Sequence, residues 1–146
     1  MSIESIALWH KRARPEPTEP QWEVQLGCHL EEVVEMLDCI NTENGHMADC
    51  LATARMSLTR LADAMKDNRS GVYTNNLVEM VDALADQIVT AVGVAHCEHM
   101  NIVKAVEIVN ESNWSKYDYN GQPIFSDKGK ITKGPQYIKP DLSDCV

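Results

Sequence analysis

Apolar residues recur at three- and four-residue steps along most of this chain, and the pattern breaks in only a few places. From Leu26 to Ile40 the repeating positions are Leu26, Leu30, Val33, Val34, Leu37 and Ile40, one face of an α-helix. From Leu77 to Thr90 and beyond they are Leu77, Val81, Leu84, Ile88 and Ala95. Around these two stretches the same periodicity predicts further helices. A short one runs over residues 2–14, with Ile3, Ile6, Ala7 and His10 on one side. Pro15, Pro17 and Pro20 then forbid a regular helix and give an extended linker. Thr18 or Glu19 opens the next helix, which carries Pro20 in its first turn and runs to about Ile40. A turn follows at 41–45, then a helix over about 46–66 with Leu51, Ala54, Leu58, Leu61 and Met65 as its stripe. Residues 67–74 break it. Asn75 or Asn76 caps a fourth helix ending near Met100. A fifth, over about 101–113, is expected to hold Ile102, Val103, Val106 and Val109 inside. After Trp114 the chain turns polar, and Ile124-Phe125 and Ile131-Thr132 flank a Lys128-Gly129 turn as a small hairpin. The fold class this predicts is all-α, a four- to five-helix bundle with a polar C-terminal tail.

The polar faces change the picture. Glu31, Glu32, Glu35 and Asp38 fall within an arc of about 120° opposite the first stripe. Glu79, Asp82 and Asp86 align in the same way on the later helix. No Lys or Arg occurs between Arg14 and Arg55, or between Arg69 and Lys104. A face selected for solubility alone normally intersperses both signs and gains i,i+4 ion pairs. If the two helices pack side by side, the carboxylates converge and repel unless divalent cations lie among them. Hard oxygen ligands suit Mg²⁺ or Mn²⁺.

Composition excludes several classes. The 146 residues suit one domain, with residues 1–20 as helix and linker and 114–146 as a basic tail. A net charge of −9 argues against a nucleic-acid polymer as partner, because phosphate backbones need basic patches. A nucleotide held through metal ions is not excluded. No run of apolar residues is long enough for a membrane span, and the N-terminus lacks an apolar signal core, so a cytoplasmic location is expected. The five cysteines include no CxxC pair and read as small buried side chains in a reducing compartment. His96 and His99 lack a carboxylate at a compatible metal-ligand spacing. Five of the thirteen basic residues lie between Lys116 and Lys139. That local basic arm either covers neighbouring acidic surface or closes over phosphates.

With both acidic motifs placed, the chain resembles the MazG-like all-α nucleoside triphosphate pyrophosphohydrolases. Their pattern is EExxE on one helix and an ExxD-type pair on a later one. Within that superfamily it looks most like the small bacterial and phage proteins described as phosphoribosyl-ATP pyrophosphohydrolase-like. The residues that carry this are Glu31, Glu32 and Glu35, the LVEMVDALAD segment, the VNESNWSK segment, and the ending from NGQPIFSDKGK to KPDL. The second motif registers on Glu79/Asp82 or on Asp82/Asp86, and the sequence does not choose.

The resemblance implies cleavage between the α- and β-phosphates of a nucleoside triphosphate, with Mg²⁺ as cofactor and Mn²⁺ able to substitute. Metal ligands would come from Glu31, Glu32, Glu35, Glu79, Asp82 and Asp86. Glu31 and Glu35 are the candidate catalytic carboxylates, one of them orienting the attacking water. Asn113 and Lys116 match the family's Asn-x-x-Lys segment, and Asn110 lies one turn earlier on the same face. Lys133, Tyr137 and Lys139 are candidate closing contacts to the substrate. Purine deoxynucleotides such as dGTP or dATP are candidate substrates, beside dUTP and phosphoribosyl-ATP, and His10, Trp22, Gln25 and His29 are candidate base readers. The resemblance also implies a homotetramer or homodimer, with Met36, Met47, Met56, Met65 and Met80 suited to helix contacts between subunits. A reading from another class is a non-catalytic helical interaction protein. Against it stands the complete acidic set.

Overall fold

Among the described residues, four of the five helices start where a side chain meets an otherwise unpaired backbone N–H. In the computed structural model, which describes residues 3–67 and 71–146, these starts are Thr18, Asn44, Asn76 and Asn101. The side chains of Asn44, Asn76 and Asn101 accept from the N–H of Met47, Glu79 and Lys104 at 3.1–3.2 Å. At Thr18 the Gln21 side chain reaches back to the Thr18 N–H at 3.0 Å. The helices are α1 (Ile3–Ala13), α2 (Glu19–Asp38), α3 (Gly45–Lys66), α4 (Leu77–Cys97) and α5 (Ile102–Trp114), with a 3-10 turn at Ser143–Cys145. The fold is all-α, as the periodicity predicts. Among the described residues the only β pairing is an isolated bridge between Phe125 and Ile131, closed by Thr132 N–H to Ile124 O at 2.7 Å. It lies where the small hairpin is expected. Ser2, and residues 68–70 of the expected break, lie outside the described residues.

The chain forms two compact units. One comprises Pro17–Val72 with Asp127–Lys130, and the other Met1–Glu16, Tyr73–Ser126 and Ile131–Val146. We call them the hairpin unit and the α5 unit.

In the hairpin unit α2 and α3 run antiparallel, so Gly27 faces Ala62 and Lys66 while the end of α2 faces Arg55. Val24, Gly27, Ala62 and Met65 are buried at the seam. Gly27 sits where the helices come closest. A Cβ there would lie 2.8 Å from the Ala62 carbonyl oxygen and 2.9 Å from Lys66 Cγ. Gly27→Val is therefore expected to push the helices apart and cost about 1–3 kcal/mol, read as a lower urea midpoint. Gly27→Ala should cost less, since Ala regains about 1 kcal/mol of helix propensity. An unchanged midpoint for the valine variant would refute the close seam. At the other end α2 has no basic residue in its last turn. Arg55 supplies one from α3, donating to Leu37 O and Ile40 O and pairing with Asp38 at 3.1 Å. It thereby meets the carbonyls that a helix C-terminus leaves over.

In the α5 unit, Trp9 and Ala13 of α1 bury against Tyr117, with Trp114 and Ile131 alongside. Trp9 stacks on Tyr117 at 5.8 Å between ring centroids. Its indole N–H donates to Asn113 O at 2.8 Å, and the Tyr117 hydroxyl donates to Trp9 O at 2.6 Å. The tail folds back onto α5. Ser112 Oγ donates to Ile138 O at 2.7 Å, and Ile138 N–H donates to Ser115 Oγ at 2.8 Å. The NESNWSK stretch thus holds the tail through both of its serines.

Three expectations are corrected here. Val103 and Val109 are exposed rather than inside α5, whose buried residues are Asn110 and Ser112. Of the five cysteines only Cys145 is buried; Cys39, Cys50 and Cys97 are exposed and Cys28 is half-buried, all as free thiols. Cys39 follows the last residue of α2, and Cys50 and Cys97 take exposed positions on α3 and α4. α4 also ends at Cys97, short of Met100. His99 takes φ 58°, with its N–H bonded to His96 O and that of Met100 to Ala95 O, which is a Schellman close. His99 of the HCEH stretch therefore has a backbone role.

Candidate functional site

The EExxE stretch occupies the second half of α2. Glu32 and Glu35 are exposed and Glu31 is half-buried. Glu31 is held twice: Oε1 accepts from Lys66 Nζ at 2.9 Å and Oε2 from Lys130 Nζ at 3.1 Å. Lys66 stands there because it ends α3, antiparallel to α2, and it also pairs with Asp63 at 3.2 Å. Lys130 follows Gly129, whose φ of 74° turns the chain. Two residues earlier, Lys128 pairs with Asp67 at 2.7 Å. A shallow groove of about 240 Å³ lies among Pro20, Gln21, Val24 and 127–129. The sequence gap in basic residues around EExxE is thus filled in space by lysines from elsewhere. Lys66 and Lys130 were not among the sequence candidates. Symmetry about the turn at 41–45 would set Glu31 opposite residue 55, about eleven residues short of Lys66, so the turn gave no signal for this pair.

The hydrogen bond from Lys66 is the main cause holding the Glu31 carboxyl below the usual glutamate value of 4.5. The Lys66 ammonium is held above its ordinary range, first by Glu31. A carboxylate with a lowered folded pKa stabilises the fold fully above its unfolded value and loses that contribution as pH falls through the folded one. Lys66→Met is expected to cost up to about 1 kcal/mol at neutral pH, the range for partly exposed pairs. The difference from the unsubstituted chain should shrink below about pH 4.5. Urea titrations at neutral and acid pH test this, and a pH-independent difference would mean that Lys66 acts by packing alone.

Of the candidate base readers, Trp22, Gln25 and His29 lie on α2 and His10 on α1, and the remaining metal and substrate candidates belong to the α5 unit. Glu79 lies in the first turn of α4, with Asp82 and Asp86 one and two turns on, all exposed. Asn113 and Lys116 are brought together, Oδ1 accepting from Nζ at 2.6 Å, and the same Nζ lies 6.0 Å from the Trp9 ring centre. Asn110 is buried and donates to Ser5 Oγ at 2.9 Å, a bond Trp114 Nε1 shares at 3.2 Å. Lys133 lies over the Tyr137 ring at 4.7 Å, and Lys139 is exposed. Burial pushes the His10 imidazole down, with Arg14 adding to the effect.

Among the described residues no group of three or more His, Cys, Asp or Glu side chains is arranged to hold a metal ion. Glu32 and Glu35 nevertheless offer the donor type that Mg²⁺ uses, since that ion takes one or two carboxylates and completes its shell with water and phosphate oxygens. No described helix is long and apolar enough to cross a membrane. Set against protein-family models, curated proteins and solved structures, the chain matches none.

Proposed function

We propose that this chain is a Mg²⁺-dependent nucleoside triphosphate pyrophosphohydrolase of the MazG-like all-α type, acting in the cytoplasm as a homotetramer or homodimer. The observation that carries the reading is on α2, where two exposed carboxylates, Glu32 and Glu35, stand beside a third that two lysines hold. Carboxylates suit a hard cation, and ammonium groups suit phosphate oxygens. In the reaction, water attacks the α-phosphorus and the bond to the bridging oxygen breaks. Monophosphate and pyrophosphate leave, and the water's proton passes to a carboxylate. Mg²⁺, when bound, would neutralise phosphate charge and acidify water.

Lys66 and Lys130 make Glu31 a poor base while they hold it. An entering triphosphate competes for both ammonium groups, and the more exposed Lys130 yields first. Each lysine that turns to phosphate returns basicity to Glu31, so proton acceptance follows substrate binding. Glu35 carries no such restraint and is the alternative acceptor. In the α5 unit, Asp82 with Glu79 or Asp86 is proposed as a metal contact, and Asn113, Lys116, Lys133, Tyr137 and Lys139 as substrate contacts.

Purine deoxynucleotides are the proposed substrates. The test is product analysis with Mg²⁺ across the common ribo- and deoxyribonucleoside triphosphates, with dUTP and phosphoribosyl-ATP added. Pyrophosphate and monophosphate in equal amounts from one of them is expected. No turnover of any, with Mg²⁺ or Mn²⁺, would return the chain to a non-catalytic interaction protein.

A further inference from the structure

The loop Asp127–Lys130 belongs to the hairpin unit, although the chain on either side of it, at Ser126 and Ile131, does not. Its tip turns at Gly129, φ 74°, and its base is closed by the Phe125–Ile131 bridge. Two ion pairs anchor it on the hairpin, Lys128 to Asp67 at 2.7 Å and Lys130 to Glu31 at 3.1 Å. The shallow groove has Pro20, Gln21 and Val24 of α2 on one side and 127–129 on the other. That stretch of the loop borders space rather than a packed seam.

Stability does not account for either pair. The Lys128 side chain is 71% exposed and that of Lys130 57%, against 21% for Lys66. Pairs this exposed hold weakly and are screened by salt. Asp67 caps the C-terminal end of α3, where the helix dipole disfavours a carboxylate. Glu31 already has a cation in Lys66, from the same hairpin. A second lysine, brought from 99 residues away, adds little to its neutralisation. Together the two pairs fix one short loop at two points, each of them reversible.

We propose that residues 127–130 are an autoinhibitory latch on the EExxE stretch. Shut, the latch commits Lys130 to Glu31 and Lys128 to Asp67. The phosphates of an entering triphosphate open it by taking both ammonium groups from their carboxylates. The two anchors release together, because freeing one lowers the effective concentration of the other. A triphosphate carries enough charge to engage two ammonium groups at once, whereas a monophosphate meets one. The latch therefore yields to the substrate and shuts again over the monophosphate product's departure. This inference rests on the pyrophosphohydrolase reading above and adds a regulated step to it. Asp67 enters as a residue that acts only through the loop.

Trypsin reads the loop without any turnover, since it cleaves after Lys128 and Lys130 at a rate that follows the population of the opened loop. The full chain and Asp67→Asn are digested between about 0.01 M and about 1 M salt, over which the Debye length falls from about 30 Å to about 3 Å. Cleavage after Lys133 and Lys139 is the internal reference. At low salt Asp67→Asn is expected to be cut severalfold faster after Lys128 and Lys130, with the reference unchanged. Salt should bring the unsubstituted chain up to the same rate. Equal rates in the two chains at low salt overturn the proposal. If the variant does not fold, or is cut faster everywhere, the unsubstituted chain decides. No gain at Lys128 and Lys130 over the reference as salt rises then overturns the latch. Turnover is measured at low salt with substrate below saturation, where Asp67→Asn should exceed the unsubstituted chain severalfold. A loosened loop with equal turnover overturns the autoinhibition. Turnover absent from both chains overturns the enzyme reading and the autoinhibition with it, while the cleavage result still establishes the anchored loop.

Discussion

Trp9→Ala is expected to destabilise the chain by about 3–5 kcal/mol, the range for removing a buried indole. Whole domains are stable by only about 5–15 kcal/mol, so much of the α5 unit's stability would go with it. Trp9 is 8% exposed and is one of three residues at the centre of that unit's core. Its removal loses the stacking on Tyr117 and the indole bond to Asn113 O, and it opens a cavity beside Trp114 and Ile131. Trp9→Phe keeps the ring without the N–H and should cost less. Burial, as its main cause, holds the Tyr117 phenol above its usual range. Opening this core should therefore bring its titration back toward an ordinary tyrosine. Urea denaturation and the ultraviolet titration of the variants check both statements. A loss under about 1 kcal/mol for Trp9→Ala would mean that the aromatic cluster is not what joins α1 to α5.

Glu35→Gln is expected to lower pyrophosphate release about a hundredfold or more while leaving the fold intact. The effect should exceed the 10–100-fold that loss of a metal ligand's supporting partner brings. Glu35 is exposed on α2 and its backbone carbonyl, not its side chain, accepts from Cys39 Sγ at 3.4 Å. The substitution keeps shape and helix propensity, so stability should move by no more than about 0.5 kcal/mol. Paired measurements of turnover and of the unfolding midpoint separate the outcomes. Unaltered turnover sinks the metal assignment at this residue. Lost turnover with a lowered midpoint would show that Glu35 serves the hairpin rather than the chemistry. Glu31 behaves differently under the same proposal. Its substitution also leaves Lys66 and Lys130 without their shared carboxylate, so both rate and stability should fall.

The local structure was written in the sequence. Helix starts at Asn44, Asn76 and Asn101 follow from short polar side chains that accept from unpaired N–H groups within one turn, and the start at Thr18 from the Gln21 side chain that meets the Thr18 N–H. The three prolines before α2 set its entry. These effects act over a few residues, so they are legible without a fold. The end of α4 was missed by three residues because the left-handed cap falls on His99, where glycine is the usual sign. The acidic faces of α2 and α4 were legible for the same local reason.

Packing decided the rest. Whether a carboxylate faces solvent, a cation or a lysine depends on partners far along the chain. Glu31 meets Lys66 at 35 residues' separation and Lys130 at 99. Arg55 reaches the end of α2 in the same way, from the neighbouring helix. Periodicity marked the apolar stripes but not their covers. Of the five stripe residues Leu77, Val81, Leu84, Ile88 and Ala95 on α4, only Ala95 is buried. Val103 and Val109 were mislaid likewise, as were the exposed cysteines. A helix pattern states which residues share a face. The neighbour that covers the face is a property of the assembled structure, because burial is summed over contacts the sequence does not order.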